Sequence, residues 1–384
     1  MRGIFFVPAL LACAALAAEH TDRHFAVVGY LPEYRTAAVS FAHICNTTLT
    51  HVVFFSVEPT VDGALLGRDR VPSQHVLATA RAACSHAALL LCIGGAGRSS
   101  SFAEALKRSS SRQRVVSALL ELVEKHNLDG VDVNWEYPGY GRSGYAPAHE
   151  ISSEYNDLAA FVRELKTALL ASTQHRSRSY EVTLAYYPDG VQEQQLAQRG
   201  LCTAGSGAAD LCHAMAYDAP GGHHSPMALA QRVIDNARTA GMSLDRVTLG
   251  VPMYGRFVGS GEAMTWEEVI TVLTDAQREE TADVDTVLTF PGRGQLSCNG
   301  PAAIRAKLAL AWTAGLGGIM VWESGQDCRP VEVDDEEGRR HLATCPTDRE
   351  LHHVSLHAAL RAELRAQFYD ARGDGHTDGH IELR

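Results

Sequence analysis

The stretch Asp129 to Pro138, DGVDVNWEYP, places three acids and an amide along an otherwise apolar segment. With the two-residue period of a strand, Asp132, Asn134 and Glu136 fall on one face and Val131, Val133 and Trp135 on the other. The apolar face can pack under helices. The polar face is costly to bury without partners, so it points to acid–base work on a polar substrate. Polar and aromatic residues also close other apolar runs: Tyr30, Tyr217 with Asp218, Tyr254 with Arg256, and Trp322 with Glu323. A single tyrosine at such a place is most simply a core-edge residue. Several converging on one rim make a pocket, and flat aromatic faces suit stacked sugar rings.

The elements that must position these residues are short apolar runs beginning at Phe25, Leu49, Ala88, Leu128, Tyr180, Leu211, Arg246 and Gly315. Helical patterns lie between most of them, among them RQRVVSALLELVEKHN from Arg112 and SSEYNDLAAFVRELKTALL from Ser152. This alternation predicts an α/β fold with a parallel sheet, and eight units predict a closed (β/α)8 TIM barrel. In such a barrel the site lies at the C-terminal ends of the strands. A doubly wound open sheet is the alternative, but no GxGxxG follows the first strand.

Composition bounds the function. The chain has 384 residues, 46% hydrophobic and 21% charged, with a net charge of -11, so it has no electrostatic footprint for nucleic acid. Arg2, an apolar run from Ile4, and Ala15-Leu16-Ala17 predict a secretory signal peptide over residues 1–18, too short for a membrane anchor. The expected destination is extracellular, with a lysosome or vacuole as alternatives, and no membrane attachment after cleavage. A barrel over residues 19–368 and a polar tail over 369–384 complete the expected organisation. The tail's histidines and aspartates are read as compositional rather than as a metal site.

Once Cys13 leaves with the signal peptide, Cys45, Cys84, Cys92, Cys202, Cys212, Cys298, Cys328 and Cys345 remain, an even set suited to an oxidising compartment. Their pairing is not legible. Cys92 and Cys212 lie in core strands and are candidate buried thiols. No CxxC pair suggests zinc, no cofactor is expected, and a monomer is. Asn46-Thr47-Thr48 is a glycosylation sequon. Val331 to Arg340 reads as a solvated charged loop.

DGVDVNWEYP resembles the fourth-strand DxxDxDxE signature of glycoside hydrolase family 18, the chitinases and their relatives. LLLCIGG resembles the family's third-strand SxGG, MAYD (Met215 to Asp218) its sixth-strand MxYD, and LGVPMYGR and AGLGGIMVWE its seventh and eighth strands. The matches run in order along nearly the whole barrel. The resemblance implies that Glu136 is the proton donor and that Asp129 and Asp132 are supporting acids. It implies that Tyr217 and Asp218 hold the acetamido group and sugar, with Met215 as an apolar wall. Tyr254 and Arg256 would contact the sugar chain, and Trp322 would be the aromatic floor. The implied partner is chitin or another N-acetylglucosamine-containing glycan, cleaved with retention and without metal. The acetamido oxygen serves as nucleophile in this family.

The chain departs from the pattern in four places. Asn134 stands where the family has the Asp that supports the acetamido group. Cys92 stands for Ser, and Ala96 for a frequent Trp. The segment from Val258 to Pro301 is shorter than the family's usual α/β insertion, with MTWEEVI and TVLTF as its reduced remnant. The leading expectation is a secreted chitinase-like hydrolase. A chitin-binding lectin and an endo-β-N-acetylglucosaminidase acting on N-glycans are the alternatives.

Overall fold

The computed structural model describes residues 24–46, 49–141, 143–172, 179–205, 207–273, 283–335, 338–345 and 354–372. The expected signal peptide, Thr47 and Thr48 of the sequon, and the tail beyond Arg372 lie outside them.

The eight apolar runs form eight parallel strands: β1 (Ala26–Pro32), β2 (His51–Pro59), β3 (Ala88–Gly94), β4 (Gly130–Asn134), β5 (Glu181–Tyr186), β6 (Leu211–Ala214), β7 (Val247–Pro252) and β8 (Gly318–Trp322). Each pairs with the next in chain order. The ring closes where β8 pairs with β1, with Ala26 opposite Gly318 and Gly29 opposite Val321. Closure leaves no edge strand, and helices such as Ser109–Lys125, Ala148–Leu170, Met227–Ala240 and Pro301–Ala314 cover the outside.

Alternation along the strands separates two cores. Val27, Leu31, Val52, Phe54, Leu89, Leu91, Val131 and Val133 pack outward under the helices. Their neighbours Val28, Tyr30, Val53, Leu90, Cys92, Met215, Tyr217 and Met320 fill the barrel interior. The strands therefore read as unbroken apolar runs, because both faces are buried.

Between β7 and β8 a small lobe is inserted. Its antiparallel sheet has the order Ala263–Thr265, Tyr254–Phe257, Gly294–Cys298, Thr286–Phe290, with the helix Trp266–Val272 beside it. The two expected remnants are thus parts of one short α/β unit. Two other expectations change. Val331 to Arg340 is not an open loop: Pro330–Asp335 pairs with Gly338–Ala343 as an antiparallel hairpin, which β-branched residues on the first arm favour. The final helix, Leu356–Arg372, runs past the expected start of the tail.

Among the described residues three disulfides form: Cys45–Cys84, Cys202–Cys212 and Cys328–Cys345. Cys212 is therefore not a free thiol. Its strand position brings it within 6.1 Å, Cα to Cα, of Cys202 in the preceding loop. Cys92 and Cys298 are buried and free.

The last helix is tied to the barrel by a remote cap. Buried Asp327 accepts hydrogen bonds from Ser355 Oγ at 2.6 Å, Leu356 N at 2.9 Å and His357 N at 2.9 Å. Asp327→Ala orphans these first-turn donors, and the expected loss is about 1–2 kcal/mol of stability. Urea unfolding measures it; an unchanged midpoint would show that the cap is idle.

Candidate active site

The polar face of β4 is built from the barrel centre outward. Asp132 is fully buried. Tyr30 Oη donates to its Oδ2 at 2.8 Å, and Thr183 Oγ1 donates to its Oδ1 at 2.7 Å. Burial pushes its carboxyl up from the usual range, while bonds from Thr183, Tyr30 and the Cys92 thiol pull it back in part. His213, also fully buried, sets Nε2 3.8 Å from Asp132 Oδ1, and its Nδ1 is 2.8 Å from Thr248 Oγ1. Burial and the nearby His51 hold His213 down to about 3, so it is neutral at physiological pH.

Asn134 comes next. Its Nδ2 donates to Glu136 Oε1 at 3.1 Å. Its Oδ1 is buried and has no hydrogen-bond partner within the protein. An amide so placed offers a free acceptor to a ligand donor. Glu136 lies just past the strand end. Its backbone N–H donates to Ser99 Oγ at 3.1 Å, which fixes the approach of the side chain. Burial raises its carboxyl to about 7; the Asn134 bond opposes this and the charge on Asp218 adds to it. A carboxyl poised there can give and take a proton near neutral pH.

The IGG of β3 is explained by this packing. Gly94 has φ 98°, and a Cβ there would lie 2.2 Å from the Asn134 carbonyl oxygen. Gly95 has φ 101°, and a Cβ there would lie 2.2 Å from the Phe55 ring. Neither position admits a side chain.

Across the mouth, Tyr217 is buried among the interior residues, with its hydroxyl 3.7 Å from Met320 Sδ, and Met215 packs in the same cluster. Asp218 has φ 60°, a left-handed conformation that aspartate tolerates. Arg256 binds both its oxygens, through Nε at 2.5 Å and Nη2 at 2.7 Å, and Tyr254 Oη donates at 2.6 Å. Burial pushes Asp218 up, but His224, Arg256 and Tyr254 outweigh it and hold the carboxyl well below the usual range. Tyr254 and Arg256 belong to the first strand of the inserted lobe, so the lobe locks the end of β6. Trp322 is half-buried and meets Phe55 at 4.9 Å and Tyr30 at 5.6 Å between ring centroids.

The sequence-expected residues Tyr30, Asp132, Asn134, Glu136, Met215, Tyr217, Asp218, Tyr254, Arg256 and Trp322 thus gather at one end of the barrel. Asp129 does not join them. It precedes β4, about 20 Å along the chain direction from Glu136, where Arg81 pairs with it at 2.6 Å and it accepts from Leu89 N at 2.8 Å. It anchors β3 and β4 at the opposite end. Glu323 likewise turns away, held by Arg35 at 2.7 Å and Tyr34 at 2.9 Å.

Thr183, His213, His224, Ser99, Tyr137 and Tyr187 were not singled out from the sequence. The first two carried a usable signal. Thr183 and His213 lie at inward steps of two along β5 and β6, His213 two residues before Met215. His224 and Ser99 arrive from loops, where no period applies.

Removing the amide donor while keeping the volume tests this electrostatic reading. Asn134→Leu takes a hydrogen bond away from the Glu136 carboxylate, which disfavours the charged form. The Glu136 titration, followed by carbon-13 NMR and assigned with Glu136→Gln, is expected near pH 7 in the parent and higher in the variant. A downward shift would deny the Asn134–Glu136 bond.

Comparisons with known proteins follow the same geometry. The chain is 24% identical to Chitinase A1 of Niallia circulans over 62% of its own length and 40% of that protein. It is 24% identical to Chitotriosidase-1 of Mus musculus, covering 65% of this chain and 59% of the other. It therefore spans about half the length of these curated relatives. A family 18 chitinase from the chitin utilization locus of Flavobacterium johnsoniae superposes with a TM-score of 0.63 at 20% identity, over 90% of this chain and 96% of that one. The family model "Glycosyl hydrolases family 18" matches residues 26–327, which span the whole ring from β1 to β8, and the chain belongs to that family.

Proposed function

We propose that the protein is a secreted hydrolase that cleaves β-1,4-linked N-acetylglucosamine oligomers or polymers by a retaining, substrate-assisted route. One observation carries this reading: Asn134 donates to a Glu136 carboxyl raised to about 7, while its buried Oδ1 is left free. An acetamido N–H is a donor suited to that oxygen. Glu136 would protonate the leaving glycosidic oxygen as the acetamido oxygen forms its bond to the anomeric carbon. The resulting oxazolinium would be opened by water, which returns its proton to Glu136. Tyr217 would orient the acetamido group. Trp322, half-buried at the end of β8, would support the sugar being cleaved. The short lobe supports a shallow cleft and use on short chains.

Glu136→Gln is expected to abolish hydrolysis of chitotetraose and chitohexaose while oligomer affinity stays within a few-fold, since shape is kept and the proton is lost. Product sizes by mass spectrometry and affinity by calorimetry measure both. Turnover close to the parent rate would remove Glu136 from the chemistry.

Asn134 also favours a second reading. An amide cannot carry the negative charge that would stabilise the cationic intermediate, and a lectin does not need one. Asn134→Asp separates the two. For an enzyme attenuated by its amide, turnover rises about 10- to 1000-fold, the size of one preorganised electrostatic partner. The alkaline limb also moves to higher pH, because a neighbouring charge replaces a donor beside Glu136. A loss of turnover would make Asn134 itself the better catalytic group. Tight binding with no turnover in either form would assign a lectin.

A further inference from the structure

We propose that the hairpin of Tyr140 and Tyr145 is a sugar-binding platform that extends the leaving-group side of the cleft. It would take the pyranose faces of a neutral N-acetylhexosamine chain. This rests on the glycan reading above.

The barrel order fixes which side is meant. In the closed ring β4 lies opposite β8, and β5 opposite β1. Trp322 at the end of β8 and Glu136 at the end of β4 therefore face each other across the mouth. A proton donor must face the leaving oxygen. On this reading, sugars departing from that oxygen would continue on the β4 and β5 side, away from Trp322.

That side carries a continuous tyrosine ladder. Tyr137 is peptide-bonded to Glu136 and packs with the interior residues, as does Tyr187 at the end of β5. Their rings lie 6.1 Å apart. Tyr137 meets Tyr140 edge-on at 6.2 Å, and Tyr140 meets Tyr145 edge-on at 5.0 Å. The last two pair across the short strands Tyr140–Gly141 and Gly144–Tyr145.

The two hairpin tyrosines differ in role. Tyr145 is anchored: its hydroxyl bonds Asp189, and Gln192 Nε2 donates to it at 3.1 Å. Tyr140 is 53% exposed. A large, half-exposed ring packed against two neighbouring rings is pre-organised for stacking, with less conformational entropy left to lose. Its place also fits the local losses. Ala96, beside Glu136, offers no aromatic surface, so a leaving-group sugar would find its flat partners on the ladder instead.

The test is a ratio: kcat/KM on chitohexaose divided by kcat/KM on chitotriose, measured with the full chain. Tyr140→Ala is expected to lower it about 3- to 10-fold, the size of a lost aromatic contact. Tyr140→Trp is expected to keep or raise it. An unchanged ratio in Tyr140→Ala overturns the proposal. So does an equal fall in both variants, which would mark Tyr140 as hairpin packing only. If the parent cleaves neither oligomer, the hydrolase reading fails by itself. The platform is then read from chitohexaose affinity by calorimetry, where a 3- to 10-fold weakening in Tyr140→Ala supports it and equal affinity overturns it.

Discussion

A carboxyl at the centre of a closed barrel has no bulk water to solvate it, and the site is arranged around that constraint. Asp132 is accommodated because Tyr30 from β1 and Thr183 from β5 reach it from both sides, with Cys92 from β3 and His213 from β6 beside them. Four strands besides its own thus converge on one side chain. The barrel closes around this polar centre, and the apolar interior, Val28, Val53, Leu90 and Met320, packs with it. Loss of a donor would leave a buried carboxyl oxygen unsatisfied, which is more costly than loss of an exposed bond.

The same economy of charge shapes the layer above. Asp132 and Glu136 flank Asn134 on one strand face. With a third carboxyl between them, two of the three would share a small, dry volume, and their titrations would couple. The amide removes that coupling. Glu136 then owes its raised pKa chiefly to burial, not to an adjacent anion. Asp218, whose charge also bears on Glu136, is ion-paired with Arg256, accepts a hydrogen bond from Tyr254 and stays ionised. Two acids of different environment therefore titrate in different ranges: Asp218 stays ionised while Glu136 is poised to exchange a proton near neutral pH.

Much of this is legible in the sequence. The eight strands were visible because both faces of each are apolar, and the rim residues because they interrupt those runs at their ends. Asn134 stood out as one amide between acids. What escaped did so for physical reasons. Asp129 shares the signature but lies below the strand, since a seven-residue stretch of chain is longer than the barrel core it crosses. Cys212 was hidden because a partner ten residues away in a loop leaves no periodic trace. The charged segment after Pro330 has the polarity of a loop and the backbone pairing of a hairpin. The ladder from Tyr137 to Tyr145 spans loop residues, whose proximity depends on a turn rather than on a period.

The seam between β8 and β1 has a consequence for biosynthesis. Glu136 is synthesised well before Trp322, and Glu323 reaches back 288 residues to Arg35. Between the synthesis of Glu136 and that of Trp322 the chain therefore holds its acid but neither Trp322 nor its last strand pair. The closed ring forms late, when β8 enters the gap between β7 and β1. A ribosome that stalls before that strand emerges releases a chain with two open sheet edges and a solvated Glu136, a target for quality control rather than a weak enzyme.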